Sequence, residues 1–111
     1  MARVTTLPEI IRPLMDAPTV ELPFCAICGR RWPLNRHHIV WRSWGEVWEG
    51  GRRLEKPTIT LCGSGNASGC HGLAHQRRLH FRMSEGRLQY LMTNRPTRYE
   101  EALGTDGWRD V

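Results

Sequence analysis

Four cysteines and four of the five histidines fall within the 51 residues from Cys25 to His75, in the order Cys25-x2-Cys28, His37-His38, Cys62, Cys70-His71-x3-His75. Thiolates and imidazoles at such spacings are metal ligands. A Cys-x2-Cys pair followed by a second, distant cysteine pair has the ligand spacing of a four-thiolate zinc site, and in a reducing compartment zinc explains it better than two disulfides do. Assigning Cys25, Cys28, Cys62 and Cys70 to one structural zinc leaves the histidines for a second site with harder chemistry. His71 and His75 stand four apart, so on a helix they share a face and converge on one cation. Neighbouring residues of a strand point to opposite faces, so His37 and His38 must divide the labour. One binds metal; the other, near its intrinsic pKa of about 6.5, takes a proton from water. A two-Cys, two-His zinc finger built from Cys25, Cys28, His71 and His75 is excluded, because that motif places about a dozen residues between its halves and here 42 intervene.

The charge balance points to a polyanionic partner. The net charge is +5, from 16 Lys and Arg against 11 Asp and Glu, and every cation except Lys56 is an arginine. Guanidinium forks bind phosphate bidentately and are weakly hydrated, which suits contact with a nucleic-acid backbone. They also cluster near the histidines: Arg30, Arg31 and Arg36 precede the His pair, Arg42, Arg52 and Arg53 follow it, and Arg77 and Arg78 follow His75.

With 111 residues the chain is read as one small domain, too short for two separate cores. Its apolar residues are interrupted by Arg and Gly, so a metal staple would supply what hydrophobic burial lacks. Met1-Ala2-Arg3-Val4 leads into no apolar signal region and no apolar run reaches transmembrane length, so the expected setting is the cytoplasm, without membrane contact.

Local elements must position these residues. Residues 4–18, with Thr6, Pro8, Ile10, Ile11 and Leu14, predict a short N-terminal helix broken at Pro13 or ended by Pro18. Val20 to Phe24 leads into the Cys25–Cys28 turn, where Gly29 supplies backbone freedom. Arg36 to Trp41 reads as a strand, the stretch with Gly45, Gly50 and Gly51 as a wide turn carrying Trp44 and Trp48, and Thr58–Leu61 as the returning strand. Gly63 to Gly69 reads as a flexible loop and Cys70 to about Arg78 as a short helix. Leu79–Met83 and Arg87–Met92 flank Ser84-Glu85-Gly86 as a hairpin. Thr97-Arg98-Tyr99-Glu100 reads as a capping box before a helical turn ended by Gly104.

Taken together, Cys25-x2-Cys28, His37-His38-Ile39-Val40, Leu61-Cys62-Gly63-Ser64-Gly65-Asn66, Cys70-His71-Gly72 and His75 resemble the phage-type HNH endonucleases with a zinc-binding ββα-metal (His-Me finger) fold. The resemblance covers residues 24–80, leaving 1–23 and 81–111 as flanking elements. It implies an α+β fold in which a β-hairpin and a following helix hold one divalent cation, Mg²⁺ or Mn²⁺, against the scissile phosphate of double-stranded DNA. It further implies His37 and His71 as metal ligands, His38 as general base, His75 as a further ligand or phosphate contact, and a four-cysteine Zn²⁺ clamp. Arg36, Arg42, Arg52, Arg53, Arg77 and Arg78 would meet the DNA, and the protein would act as a monomer or weak dimer in a phage-infected host, beside packaging proteins or as a free-standing homing enzyme. One position departs from the pattern: Pro57 stands where the family's middle Asn is typical, five residues before Cys62. Proline has no side-chain amide, so either Asn66 substitutes, or the role is dispensable, or the chain is a noncatalytic zinc module that binds nucleic acid. A third reading takes Trp41, Trp44 and Trp48 as a protein-binding face rather than a local core.

Overall fold

The computed structural model describes residues 2–111. Its centre is an antiparallel pair, β2 (Leu34–His38) and β5 (Thr58–Cys62), with Leu34 opposite Cys62 and His37 opposite Ile59. Alternating β-branched residues favour an extended β5. Ile59 and Leu61 are fully buried there, each contributing about 1.5–3 kcal/mol of hydrophobic stabilisation. The Leu34-Asn35-Arg36-His37-His38 run has little strand propensity of its own, and its extended form is imposed by pairing with β5. The strand ends at His38, short of the expected Trp41. Ile39 and Val40 turn into the core instead, with Ile39 N–H donating to the Pro57 carbonyl at 3.0 Å.

Between these strands lies a small second sheet. The expected wide turn contains a 3-10 turn at Arg42–Trp44 and a hairpin of β3 (Val47–Glu49) and β4 (Arg52–Arg53). Gly50 and Gly51 occupy the positive-φ positions that a two-residue hairpin turn demands.

The expected N-terminal helix is replaced by β1 (Arg3–Thr5), which pairs with β3, and a 3-10 turn at Arg12–Asp16. Two causes act together. Pro13 sits at the start of the turn, where proline is tolerated. Thr6, which would have capped a helix, bonds across to Glu46 instead, its Oγ1 accepting the Glu46 N–H at 2.9 Å.

After β5 comes α1 (Gly69–His75), which ends earlier than Arg78, and Arg77 takes a left-handed conformation just beyond it. The hairpin of β6 (Leu79–Ser84) and β7 (Arg87–Met92) forms as expected around Glu85 and Gly86, both at positive φ. A short β8 (Arg109–Asp110), with no signal in the sequence, extends that sheet. Helix α2 (Tyr99–Leu103) stands where predicted, but without the capping box. Thr97 Oγ1 donates to the Arg95 carbonyl at 2.9 Å, and the cap position, Arg98, makes no side-chain bond. A local turn has competed successfully for the hydroxyl.

The result is a small, compact mixed α/β arrangement with few helices and antiparallel sheets. Leu7, Leu14, Val40, Ile59, Leu61 and Phe81 share one apolar cluster with Cys25, Cys62 and Cys70. Among the described residues no helix is long and apolar enough to cross a membrane.

Candidate functional site

The Cys25–Cys28 turn closes on itself, with Gly29 N–H donating to the Cys25 carbonyl at 3.0 Å, and is tied to β5 by Ala26 N–H donating to the Thr60 carbonyl at 2.9 Å. Cys62 ends β5 and Cys70 lies in the first turn of α1, its N–H directed at Cys62 Sγ at 3.3 Å. The intervening loop forms no regular element before Gly69, as expected, and it is closely packed on itself. A Cβ on Gly63 would lie 2.1 Å from the Ser68 carbonyl oxygen, and one on Gly69 would lie 2.5 Å from that of Cys62. Only glycine permits this closeness, and Gly63 and Gly69 also hold positive φ.

The four Sγ atoms lie within 4.8 Å of one another. Cys28 Sγ and Cys62 Sγ are 3.5 Å apart, far beyond the roughly 2.05 Å of a disulfide and near the roughly 3.8 Å separating two thiolates bound tetrahedrally at about 2.3 Å to zinc. Ionisation fits a cation as well. Burial opposes charge on Cys25, but backbone hydrogen bonds from Cys28, Cys62 and Ile27 outweigh it and bring the thiol down to about 7. Burial pushes Cys62 and Cys70 up, and for Cys70 the neighbouring Cys25 charge adds to the rise. Four thiolates cannot share this space without a compensating charge, which a divalent ion provides. The donor set therefore suits a structural metal such as zinc.

The second cluster is made of imidazoles. His37, on β2, is buried and points inward, whereas its neighbour His38 is exposed on the other face. His71 and His75 lie one turn apart on α1, and one ring nitrogen from each of His37, His71 and His75 falls within 4.8 Å of the others. His71 Nδ1 donates to the Gly65 carbonyl at 2.9 Å, which leaves its Nε2 as a lone pair aimed inward. That Nε2 stands 3.2 Å from His75 Nε2, close to the roughly 3.4 Å between two nitrogens held tetrahedrally at about 2.0–2.1 Å from a metal. Burial, then the neighbouring His71 and His75 rings, hold His37 down at about 3, so its imidazole stays neutral and able to donate a lone pair. These three residues could hold a metal ion.

Around the trio opens a cleft of about 380 Å³ that also takes in Arg36, His38, Arg42 and Asn66. Arg36, His38 and Arg42 continue into an adjoining groove with Arg53, where Glu46 and Glu55 also stand. Arg77 lines a different cavity behind His37. Arg52 and Arg78 line none of these: Arg52 is exposed on β4, and Arg78 Nε donates to the Thr93 carbonyl at 3.4 Å. Pro57 is buried and offers the site only a backbone carbonyl.

Three positioning residues were not legible in the sequence. Asn35 donates its amide to the Gly63 carbonyl and so ties β2 to the loop before α1. Trp41 stacks on His75, ring centroids 5.9 Å apart and planes within 21°, and against Trp44 at 5.2 Å and 9°. His80, the fifth histidine, is buried and donates Nε2–H to the Arg77 carbonyl at 2.8 Å. All three placements depend on contacts between segments distant in the chain or on packing around them, and no signal in the sequence announces them.

The chain is thus a small mixed α/β protein whose four cysteines could hold a structural metal, with a separate imidazole cluster at a basic cleft. No family model, curated protein or solved structure matches it.

Proposed function

We propose that the protein is a metal-dependent DNA endonuclease of the HNH type. The observation that carries this reading is the convergence of His37, His71 and His75 at the floor of a cleft whose rim bears the exposed His38 and the guanidinium groups of Arg36 and Arg42. Strand β2 pairs with β5, and helix α1 follows β5 in the chain, an order compatible with this reading although β3 and β4 intervene between the two strands.

Hydrolysis of a phosphodiester requires an in-line nucleophile, neutralisation of the charge developing on phosphate, and a proton acceptor. Bound by His37 and His71, with His75 as third ligand, a divalent ion would supply the Lewis acidity that stabilises the departing 3′ oxygen; three imidazoles suit a later transition-metal ion better than the oxygen-seeking Mg²⁺ or Mn²⁺ that the resemblance implies. His38 takes a proton from the attacking water. The new P–O bond forms as the bond to the 3′ oxygen breaks, and that oxygen takes a proton from solvent, leaving 5′-phosphate and 3′-hydroxyl ends. His37 and His38 serve different roles because strand alternation sends them to different faces. Arg36, Arg42 and Arg53 bind flanking phosphates, and the thiolate clamp fixes the start of α1 and hence His71.

Purified protein incubated with supercoiled plasmid and Mg²⁺ or Mn²⁺ is expected to produce relaxed circles. Intact supercoils under both ions, with binding retained, would establish the second reading, a noncatalytic nucleic-acid-binding zinc module. Pro57 favours that reading, because no side-chain amide stands at its position.

DNA binding is expected to be electrostatic and weakly sequence-specific, since arginines line the cleft and no recognition helix is present among the described residues. Arg42→Ala and Arg53→Ala should weaken binding to unrelated duplexes alike, each making the dependence of log affinity on log salt shallower by about 0.9 for every phosphate left unneutralised. Titrations from low to high salt check this; an unchanged slope in both variants would mean neither side chain touches phosphate.

A further inference from the structure

Behind the imidazole trio lies a second cavity, of about 210 Å³, that the proposed hydrolysis does not use. His37 and Trp41 line both it and the metal-side cleft. The remaining wall mixes rings (Trp44, Phe81, Tyr99 and His80) with the aliphatic Leu14, Ile39 and Leu79. Arg77 and Arg98 also line it, the Arg98 side chain being 78% exposed, and Glu100 lies 3.5 Å from the Arg98 guanidinium.

We infer that this cavity receives one unpaired nucleobase of the DNA being cut. Size limits the occupant, since sites for drug-sized molecules span about 300–1,000 Å³ and this one holds about 210 Å³, room for one planar ring system. Chemistry narrows it further. Aromatic side chains stack on the π-faces of bases, and arginines at the same cavity offer charge to the phosphates on either side. Glu100 disfavours a bare phosphate inside, which leaves the base as the group that enters. Three donors of the wall are already engaged: Tyr99 Oη donates to the Phe81 carbonyl at 2.7 Å, His80 Nε2 to that of Arg77 at 2.8 Å and Thr97 Oγ1 to that of Arg95 at 2.9 Å. With these hydroxyl and imidazole protons spent, stacking and apolar contact rather than donation from them would hold a base. Its position suits cleavage too, because His37 and Trp41 border both this cavity and the cleft of the trio.

This inference rests on the nuclease reading and names its substrate class: duplex DNA interrupted by an unpaired nucleotide, whose extrusion costs least. The test is fluorescence anisotropy with a labelled duplex carrying one unpaired nucleotide and with the same duplex fully paired, in Ca²⁺ so that binding is read without cleavage. The interrupted duplex is expected to bind about tenfold more tightly, the order of one base–aromatic stack, and to do so within about threefold for all four bases, as stacking tolerates sequence. Trp44→Ala should erase the preference and leave affinity for paired duplex unchanged, with zinc content and circular dichroism reporting its fold. Arg98→Ala, a change at an exposed side chain, should lower the preference several-fold without touching the core. Equal binding of the two duplexes by the unaltered protein, or a preference that survives both substitutions, overturns the pocket assignment alone. Binding of neither duplex overturns the nucleic-acid reading together with it.

Discussion

Cys28→Ser is expected to release tightly bound zinc and unfold the protein. Cys25, Cys62 and Cys70 are buried within the apolar cluster and only Cys28 is exposed, so the substitution disturbs little packing and acts almost entirely through the missing ligand. Structural zinc contributes about 10–16 kcal/mol in small zinc-dependent folds at neutral pH, as much as or more than the roughly 5–15 kcal/mol net stability of a typical domain. Without the shared cation, burial keeps Cys62 and Cys70 protonated, so no ionic bond replaces the lost metal contacts. Metal analysis of the purified protein, with thermal melts before and after chelation, checks the prediction. A zinc-free protein that melts cooperatively at the original temperature would show that the four cysteines do not form a structural site.

His38→Ala should abolish most cleavage while leaving the catalytic cation and DNA affinity nearly intact, with a loss on the order of 10²–10⁴-fold for a missing general base. The geometry behind this is the division across β2: His38 is exposed at the cleft rim, while His37 is buried with the other two rings. His71→Ala should behave differently. Its Nε2 is one of the converging lone pairs, so cation affinity falls, cleavage is partly restored by raised Mn²⁺, and the structural zinc remains in place. Cleavage rates measured with titrations of Mn²⁺ and DNA separate the two variants. A fully active His38→Ala beside an inactive, metal-replete His37→Ala would mean that the neighbours have exchanged roles; full activity in both would place any nuclease site elsewhere.

What was legible in the chain was local. Thr58–Leu61 alternates strongly enough to announce β5, and Glu85-Gly86 supplies the turn that a two-residue hairpin needs, so β6 and β7 form where expected. Cysteine spacing announces the thiolate cluster, and strand alternation separates His37 from His38. The N-terminal helix does not form because the competing interaction is distant: Arg3–Thr5 pairs with Val47–Glu49, more than forty residues away, and Thr6 is drawn to Glu46. Competition of a more local kind removes the Thr97 capping box, and the close approaches at Gly63 and Gly69 that pack the expected loop beneath Cys70 and His71 could not be read from its composition.

By itself, then, the sequence determined which residues could ligate metal and which pairs had to face the same or opposite ways, because side-chain chemistry and the periods of strand and helix are properties of short stretches. Only the tertiary structure decided that His37 joins His71 and His75, that Trp41 stacks on His75, that Asn35 braces the loop before α1, and that a separate aromatic cavity opens behind the trio. These are contacts between segments far apart in the chain, set by how the shared core packs, and no local pattern encodes them.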